Sequence, residues 1–244
     1  DFDMKYIFMA AGKGSRLAPL TLKHPKSMYK LDENTTLLQR MVMLIKKYDQ
    51  GADIVIVTGH MHKSIERQIE GVSFIHNPFY EVTNSIASLW FAKEHLNAGA
   101  SVLIDADIVM SEALIKDVVC REAQRPEVLV DSSIKTDGDY NVEVSGGQVL
   151  VMSKELNSYY GEYAGITRLD AESAHMVYNE MESMIDEGFY DQWYENALVQ
   201  LIFKNDFQLY YTDISSYEWT EVDSVNDLLL AKRIHMQEMR RVQA

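Results

Sequence analysis

Six apolar residues, Tyr6-Ile-Phe-Met-Ala-Ala11, run without a polar break into Gly12-Lys13-Gly14-Ser15-Arg16. A strand that is apolar on both faces must be covered on both, so this run predicts an interior strand of a mostly parallel sheet. Gly12 and Gly14 then permit a tight turn whose backbone N–H groups stay free. From Gly12 to Leu31 stand five cations, Lys13, Arg16, Lys23, Lys26 and Lys30, and no Asp or Glu, although the 244-residue chain has a formal net charge of −14. Free amides beside clustered cations form a phosphate cradle. The loop is not a Walker A motif, and Leu17 stands where the dinucleotide fingerprint needs its third glycine.

The segments that follow alternate in type. Leu37, Leu38, Met41, Leu44, Ile45 and Tyr48 recur at helical spacing, Asp53 to Gly59 is a short apolar strand, a second helix covers about 63–70, and Val72 to His76 is a third strand. Strand, helix and strand in succession make the βαβ unit of a parallel sheet with helices on both faces. Asn77 to Tyr80 reads as a turn, and Asn84-Ser85 as the N-cap of a helix bearing Ile86, Leu89 and Trp90. The apolar run from Ser101 ends in Asp105-Ala-Asp107. Strand alternation predicts both carboxylates on one side, at the carboxyl end where parallel sheets carry their ligands. Two like charges there call for a cation.

Beyond Glu127 the pattern shortens. Glu127–Asp131, Tyr140–Val144 and Gln148–Met152 read as three antiparallel additions to the sheet, with Ser145-Gly146-Gly147 as a hairpin turn. Two helices are predicted over 171–188 and 192–204, then a strand over 207–212. Asp223 or Ser224 caps a terminal helix whose first turn holds Asp227.

The acidic balance argues against nucleic-acid partners and against an anionic membrane surface. Cys120 is the one cysteine, which excludes an intrachain disulfide. No apolar stretch approaches the ~20 residues of a membrane span, and the run after Met4 is too short for a signal peptide. With no linker or low-complexity segment, residues 4–244 read as one domain of a cytoplasmic protein, preceded by Asp1-Phe2-Asp3 as a cloning remnant.

The string Ala10-Ala11-Gly12-Lys13-Gly14-Ser15-Arg16-Leu17, then Pro19-Leu20-Thr21 and Pro25-Lys26, resembles the signature of the nucleoside-triphosphate-dependent sugar-phosphate nucleotidyltransferase superfamily. The resemblance implies an α/β fold, a Rossmann-like mixed, mostly parallel sheet sandwiched by helices, with a small antiparallel β addition. It implies that Ala10, Ala11, Gly12, Lys13 and Gly14 meet the nucleotide, with Asn84 and Ser85 lining the base and ribose pocket. Arg16 would hold the β- and γ-phosphates and Lys26 would reach the α-phosphate. Asp107 and Asp223 would ligate Mg²⁺, with Glu221 as their neighbour and Asp105 in support.

Within that superfamily the chain is most similar to bacterial choline-phosphate and 2-aminoethylphosphonate cytidylyltransferases. This implies CTP and a small aminated phosphate or phosphonate as substrates, with Trp193, Tyr194 and Glu195 at the acceptor and Tyr159–Ile166 beside it. Relatives carry Tyr-Trp-Asp-Asn where this chain has Trp193-Tyr194-Glu195-Asn196. The longer acid leaves the acceptor open between phosphocholine, 2-aminoethylphosphonate and others. Two alternatives stand beside this one: a sugar-1-phosphate nucleotidyltransferase, and a non-catalytic nucleotide-binding regulatory subunit. A glycosyltransferase with an Asp-x-Asp motif ranks lower, because such enzymes lack the Gly-x-Gly-x-Arg and Pro-Lys cradle. A homodimer or a fused partner domain is compatible with the sequence.

Overall fold

Lys5–Ala10 forms β1, and its side chains alternate between two apolar layers: Tyr6, Phe8 and Ala10 enter one, Ile7 and Met9 the other. This is the two-sided burial that its unbroken apolar run requires. The structure, a computed structural model, describes residues 3–12, 22–134, 138–204 and 207–244. Helix α1 (Leu37–Tyr48) starts on a capping box between Thr36 and Gln39 and leads to β2 (Asp53–Thr58). Helix α2 (His62–Gln68) and β3 (Ser73–His76) follow, then α3 (Ser85–Phe91), the short α4 (Lys93–Leu96) and β4 (Ser101–Asp105). β1 pairs in parallel with both β2 and β4, and β2 with β3. The chain moves outward from β1 to β3 and returns to β4 on the other side of β1, which opens a crevice between the carboxyl ends of β1 and β4.

After β5 (Ile108–Met110), a single turn α5 (Glu112–Leu114) and a π-helical turn at Ile115–Val119 lead to β6 (Glu127–Asp131). The strands β7 (Asn141–Ser145) and β8 (Gln148–Ser153) form the predicted hairpin, with Gly146 and Gly147 at positive φ in its turn. β9 (Gly161–Leu169), α6 (Ala171–Asp186), α7 (Glu195–Phe203), β10 (Tyr210–Asp213), β11 (Trp219–Glu221) and α8 (Val225–Gln243) complete the order. Among the described residues the main sheet runs β3-β2-β1-β4-β9-β6-β10-β8-β7, and β5 and β11 form a separate antiparallel pair. No helix of the described residues is long and apolar enough to cross a membrane.

The structure corrects several expectations. β6 is not an antiparallel addition: it lies inside the sheet, parallel to β10 and antiparallel to β9. β9 is a nine-residue strand where sequence predicted only a glycine-containing segment. Gly161, Gly165 and Arg168 blunt its strand signal, but Arg168 is buried in an ion pair with Glu127, which also accepts a hydrogen bond from Thr212 at 2.8 Å, so Glu127 joins β9, β6 and β10. Helix α7 begins at Glu195, so Trp193 and Tyr194 precede it. The strand expected over 207–212 spans Tyr210–Asp213.

Helix α8 packs back on β5 and α1 through the buried guanidinium of Arg40, which donates to the Met110 carbonyl (2.9 Å), to His235 Nδ1 (3.2 Å) and to Glu238. Its start is a capping box: Asp227 N–H donates to Ser224 Oγ, and the Asp227 carboxylate accepts from the backbone N–H of both Ser224 and Asp223. Ser224→Ala is expected to cost about 1 kcal/mol, or about 2–4 °C in Tm, since a lost N-cap is of that size. Turnover should be nearly unchanged, because Asp227 still holds Asp223. Calorimetry beside a kinetic assay checks both halves.

Candidate active site

The crevice between β1 and β4 is a cleft of about 290 Å³. One wall is the end of β1, from Met9 to Gly12; the floor is Asp105 to Asp107; the opposite wall includes Asn84, Ser85, Trp193 and Glu195. Local hydrogen bonds explain how the last four come together. Asn84 caps α3 by accepting from Ser85 N–H at 2.8 Å, and its own N–H donates to the Tyr190 carbonyl. Ile86 N–H donates to the Gln192 carbonyl, and Ser85 Oγ accepts from Tyr194 N–H at 2.9 Å. Segment 190–194 is thus stitched to the start of α3. Asn84 and Ser85 serve as helix cap and as cleft wall together.

In the cleft, Lys26 Nζ lies 2.8 Å from Asp107 Oδ2 and 3.0 Å from Asp223 Oδ1. Asp107 occupies the turn after β4, and its carbonyl accepts from Val222 N–H at 2.8 Å, which joins it to the segment following β11. Sequence predicted Asp105 and Asp107 on one side of a strand, but β4 ends at Asp105 and the turn breaks the alternation. The two acids therefore differ: Asp107 pairs with Lys26, whereas Asp105 is half-buried at the cleft floor, where burial, followed by the charge of Glu195, pushes its carboxyl well above the usual range.

Asp107, Glu221 and Asp223 offer carboxylate oxygens within 4.8 Å of one another. Glu221 is thus a full member of the cluster. Burial, then Asp107 and Asp223, pushes Glu221 up to about 9. Burial tends to lower the pKa of Lys26, yet Asp107 and Asp223 together hold it above lysine's ordinary value. Three carboxylates facing one lysine are short of positive charge, and their hard oxygens suit a divalent ion such as Mg²⁺. A second group, Asp139, Glu162 and Glu221, extends the acids along the cleft, and burial pushes Glu162 up to about 7.

The same cleft carries aromatic side chains. Tyr140 packs edge-on against Trp193 (centroids 5.2 Å) and against Tyr163 (6.0 Å), and all three line the cleft with Glu195. Glu195 is buried, and that burial pushes it up to about 7. Gly165 adopts φ +78° in the same wall, where a Cβ would collide with Ile108.

Of the residues the sequence singled out, Ala10, Ala11, Gly12, Lys26, Asn84, Ser85, Asp107, Trp193 and Glu195 line the cleft, and Asp223 reaches it through Lys26. Tyr194 does not. It is fully buried, its hydroxyl turned to Tyr163 and Thr167. Lys13, Gly14 and Arg16 lie outside the described residues. Tyr80, Thr83, Ser88, Asp139 and Tyr140 line the cleft unforeseen, since a single polar or aromatic residue, in a turn or on helix α3, carries no periodic signal.

A cleft at the switch point of a mostly parallel sheet, with one lysine among clustered carboxylates, defines a nucleotide-handling α/β enzyme. Residues 6–176 match the family model described as the MobA-like NTP transferase domain, and the chain belongs to that family. It is a nucleotidyltransferase. Its curated relatives include a choline-phosphate cytidylyltransferase of Streptococcus pneumoniae, 25% identical over 231 residues (92% of this chain, 95% of the relative). A 2-aminoethylphosphonate cytidylyltransferase of Lancefieldella rimae is 30% identical over 110 residues, 43% of this chain and 44% of that one. The solved structure of CTP:phosphocholine cytidylyltransferase from Streptococcus pneumoniae has the same fold, with a TM-score of 0.79 at 24% identity over 96% of this chain and 99% of that one.

Proposed function

We propose that this enzyme transfers the cytidylyl group of CTP to a small phosphate or phosphonate bearing a positively charged amine, and releases pyrophosphate. The observation that carries the reading is what one cleft brings together: Lys26 with the carboxylate cluster, and Tyr140, Tyr163 and Trp193 lining the same cleft with the buried Glu195. Aromatic faces beside a carboxylate favour an ammonium, which they bind through the ring quadrupole and direct charge attraction. A sugar phosphate would bring no cation to Glu195 and Asp105. The names of two of the curated relatives, choline-phosphate and 2-aminoethylphosphonate cytidylyltransferase, support the same choice.

In the reaction, a phosphate or phosphonate oxygen of the acceptor forms a bond to the α-phosphorus of CTP as the bond to the β-phosphate oxygen breaks in line, and pyrophosphate departs with that electron pair. No protein nucleophile is required. The ends of β1 and α3 hold base and ribose through Ala11, Gly12, Asn84 and Ser85. Lys26 neutralises charge at the α-phosphate, and Lys13, Gly14 and Arg16 are assigned to the triphosphate by resemblance. Mg²⁺, held by Asp107, Asp223 and Glu221, would neutralise phosphate charge when bound. Glu195 and the aromatic walls fix the acceptor's amine, which aligns its phosphate for attack. Such an enzyme works where CTP is made, in the cytoplasm.

The test is pyrophosphate release for each NTP against a panel containing phosphocholine, phosphoethanolamine, 2-aminoethylphosphonate and glucose 1-phosphate. CTP with an aminated acceptor should give the highest kcat/KM; preference for glucose 1-phosphate would sink the reading. Glu195→Gln should raise KM for an aminated acceptor about 10–100-fold, the value of a hydrogen bond to a charged group of ~1.5–3 kcal/mol, with KM for CTP unchanged.

A further inference from the structure

Three hydroxyls meet behind Glu195 where water does not reach. Tyr163 and Thr167 stand four residues apart on β9, and Tyr194 immediately precedes α7. Tyr163 Oη lies 2.6 Å from Tyr194 Oη and 2.9 Å from Thr167 Oγ1, and Thr167 Oγ1 lies 3.1 Å from Tyr194 Oη. None of the three residues is more than 5% exposed. The carboxylate of Glu195, itself 3% exposed, is within hydrogen-bonding reach of both tyrosines.

The proton count decides what this cluster does. Three hydroxyls own three protons, and a closed ring of three contacts would consume all of them. A buried carboxylate beside the ring needs donors, because a charge without them is costly in a dry site. At 2.6 Å a proton must lie between the two phenolic oxygens. The arrangement that satisfies both demands is a chain: Thr167 donates to one tyrosine, that tyrosine to the other, and the last to Glu195. Each bond in such a chain polarises the next. Burial pushes the Glu195 carboxyl up, and its own backbone N–H, then the hydroxyls of Tyr194 and Tyr163, oppose that shift, which is the sense expected of donors to the ionised form.

We infer that Tyr194, Tyr163 and Thr167 are positioning residues that hold the Glu195 carboxylate turned into the cleft, and so favour an acceptor amine that bears N–H groups. The inference rests on the assignment of Glu195 to the acceptor. Primary ammonium donates N–H bonds to a fixed carboxylate; trimethylammonium has none to give and relies on the aromatic walls. The hydroxyl chain therefore acts on one substrate class more than the other, which a purely structural role would not do.

The experiment compares Tyr194→Phe, Thr167→Val, Thr167→Ser, Glu195→Gln and the double variant Tyr194→Phe/Glu195→Gln in the intact enzyme. KM and kcat are measured for CTP, phosphoethanolamine and phosphocholine, and Tm for each protein. Tyr194→Phe keeps the ring and its packing. It should raise KM for phosphoethanolamine about tenfold, with a smaller rise for phosphocholine and no change in KM for CTP. Thr167→Ser should behave as wild type and Thr167→Val should follow Tyr194→Phe. Because the hydroxyls act through Glu195, the double variant should be no worse than Glu195→Gln alone. Equal rises for both acceptors, or additive penalties in the double variant, overturn the inference. If Glu195→Gln shifts the acceptor KM while Tyr194→Phe does not, the positioning role fails and the acceptor site stands; if Glu195→Gln shifts nothing, both fail.

Discussion

Asp107→Asn is expected to lower kcat about 10²–10³-fold while leaving the fold intact. The substitution keeps shape and volume, and the carbonyl of residue 107 still accepts from Val222 N–H, so the turn after β4 is preserved. What changes is charge. One of three carboxylates is lost from the cluster, and with it a hard oxygen ligand and the 2.8 Å partner of Lys26. Removal of one preorganised electrostatic contact typically costs ~2.7–4 kcal/mol of barrier. Stability should hardly move, because Asp223 still pairs with Lys26 at 3.0 Å and repulsion with Glu221 is relieved. Pyrophosphate release over a Mg²⁺ titration, beside a melting curve, separates the two effects. A kcat within threefold of wild type at saturating Mg²⁺ would remove Asp107 from the metal site.

Lys26→Ala should be comparably damaging, and it should also expose the lysine's second role. Its ammonium lies between Asp107 and Asp223, with side chains 18–22% exposed, and supplies the positive charge that the cluster lacks. Breaking a fully buried pair costs about 3–5 kcal/mol; water reaches this one, so about 1–3 kcal/mol of stability should be lost in metal-free buffer. Mg²⁺ at about 100 times its Kd returns about 2.7 kcal/mol by mass action. Tm of the variant should therefore rise more steeply with Mg²⁺ than that of wild type. Turnover should remain about 10²–10³-fold down at any Mg²⁺ concentration if Lys26 has the proposed role, since a metal in the carboxylate cluster would not replace an ammonium at the α-phosphate. KM for CTP should change less than kcat. Full recovery of turnover with Mg²⁺ would reduce Lys26 to a counter-ion.

Several elements were legible because their signal is local. The unbroken apolar run of β1 reads as an interior strand, and α1 has the bounds its helical spacing indicates. The cap of α8 and the hairpin turn at Gly146-Gly147 follow from residue types whose preferences are backbone preferences. β9 was not legible, because its glycines and Arg168 argue against a strand until Glu127 is known to lie opposite. β5 and β11 have three residues each, too few to show a period.

The site divides along the same line. The chemistry of each residue was written in the sequence: a lysine after proline in a cation-rich segment, carboxylates after an apolar run, a capped acid ahead of a terminal helix. Their meeting was not. Lys26 and Asp223 are 197 residues apart and converge only because β11 pairs with β5 and Val222 bonds Asp107. Likewise the Trp193-Tyr194-Glu195 segment announced aromatic and acidic character. Tertiary packing alone turned Trp193 and Glu195 into the cleft and Tyr194 away from it, onto the buried hydroxyls of Tyr163 and Thr167. Local sequence fixes periodicity, caps and the kind of charge a residue can offer. Distance and direction between such groups depend on pairings across the sheet, whose energies arise only when the whole core has closed.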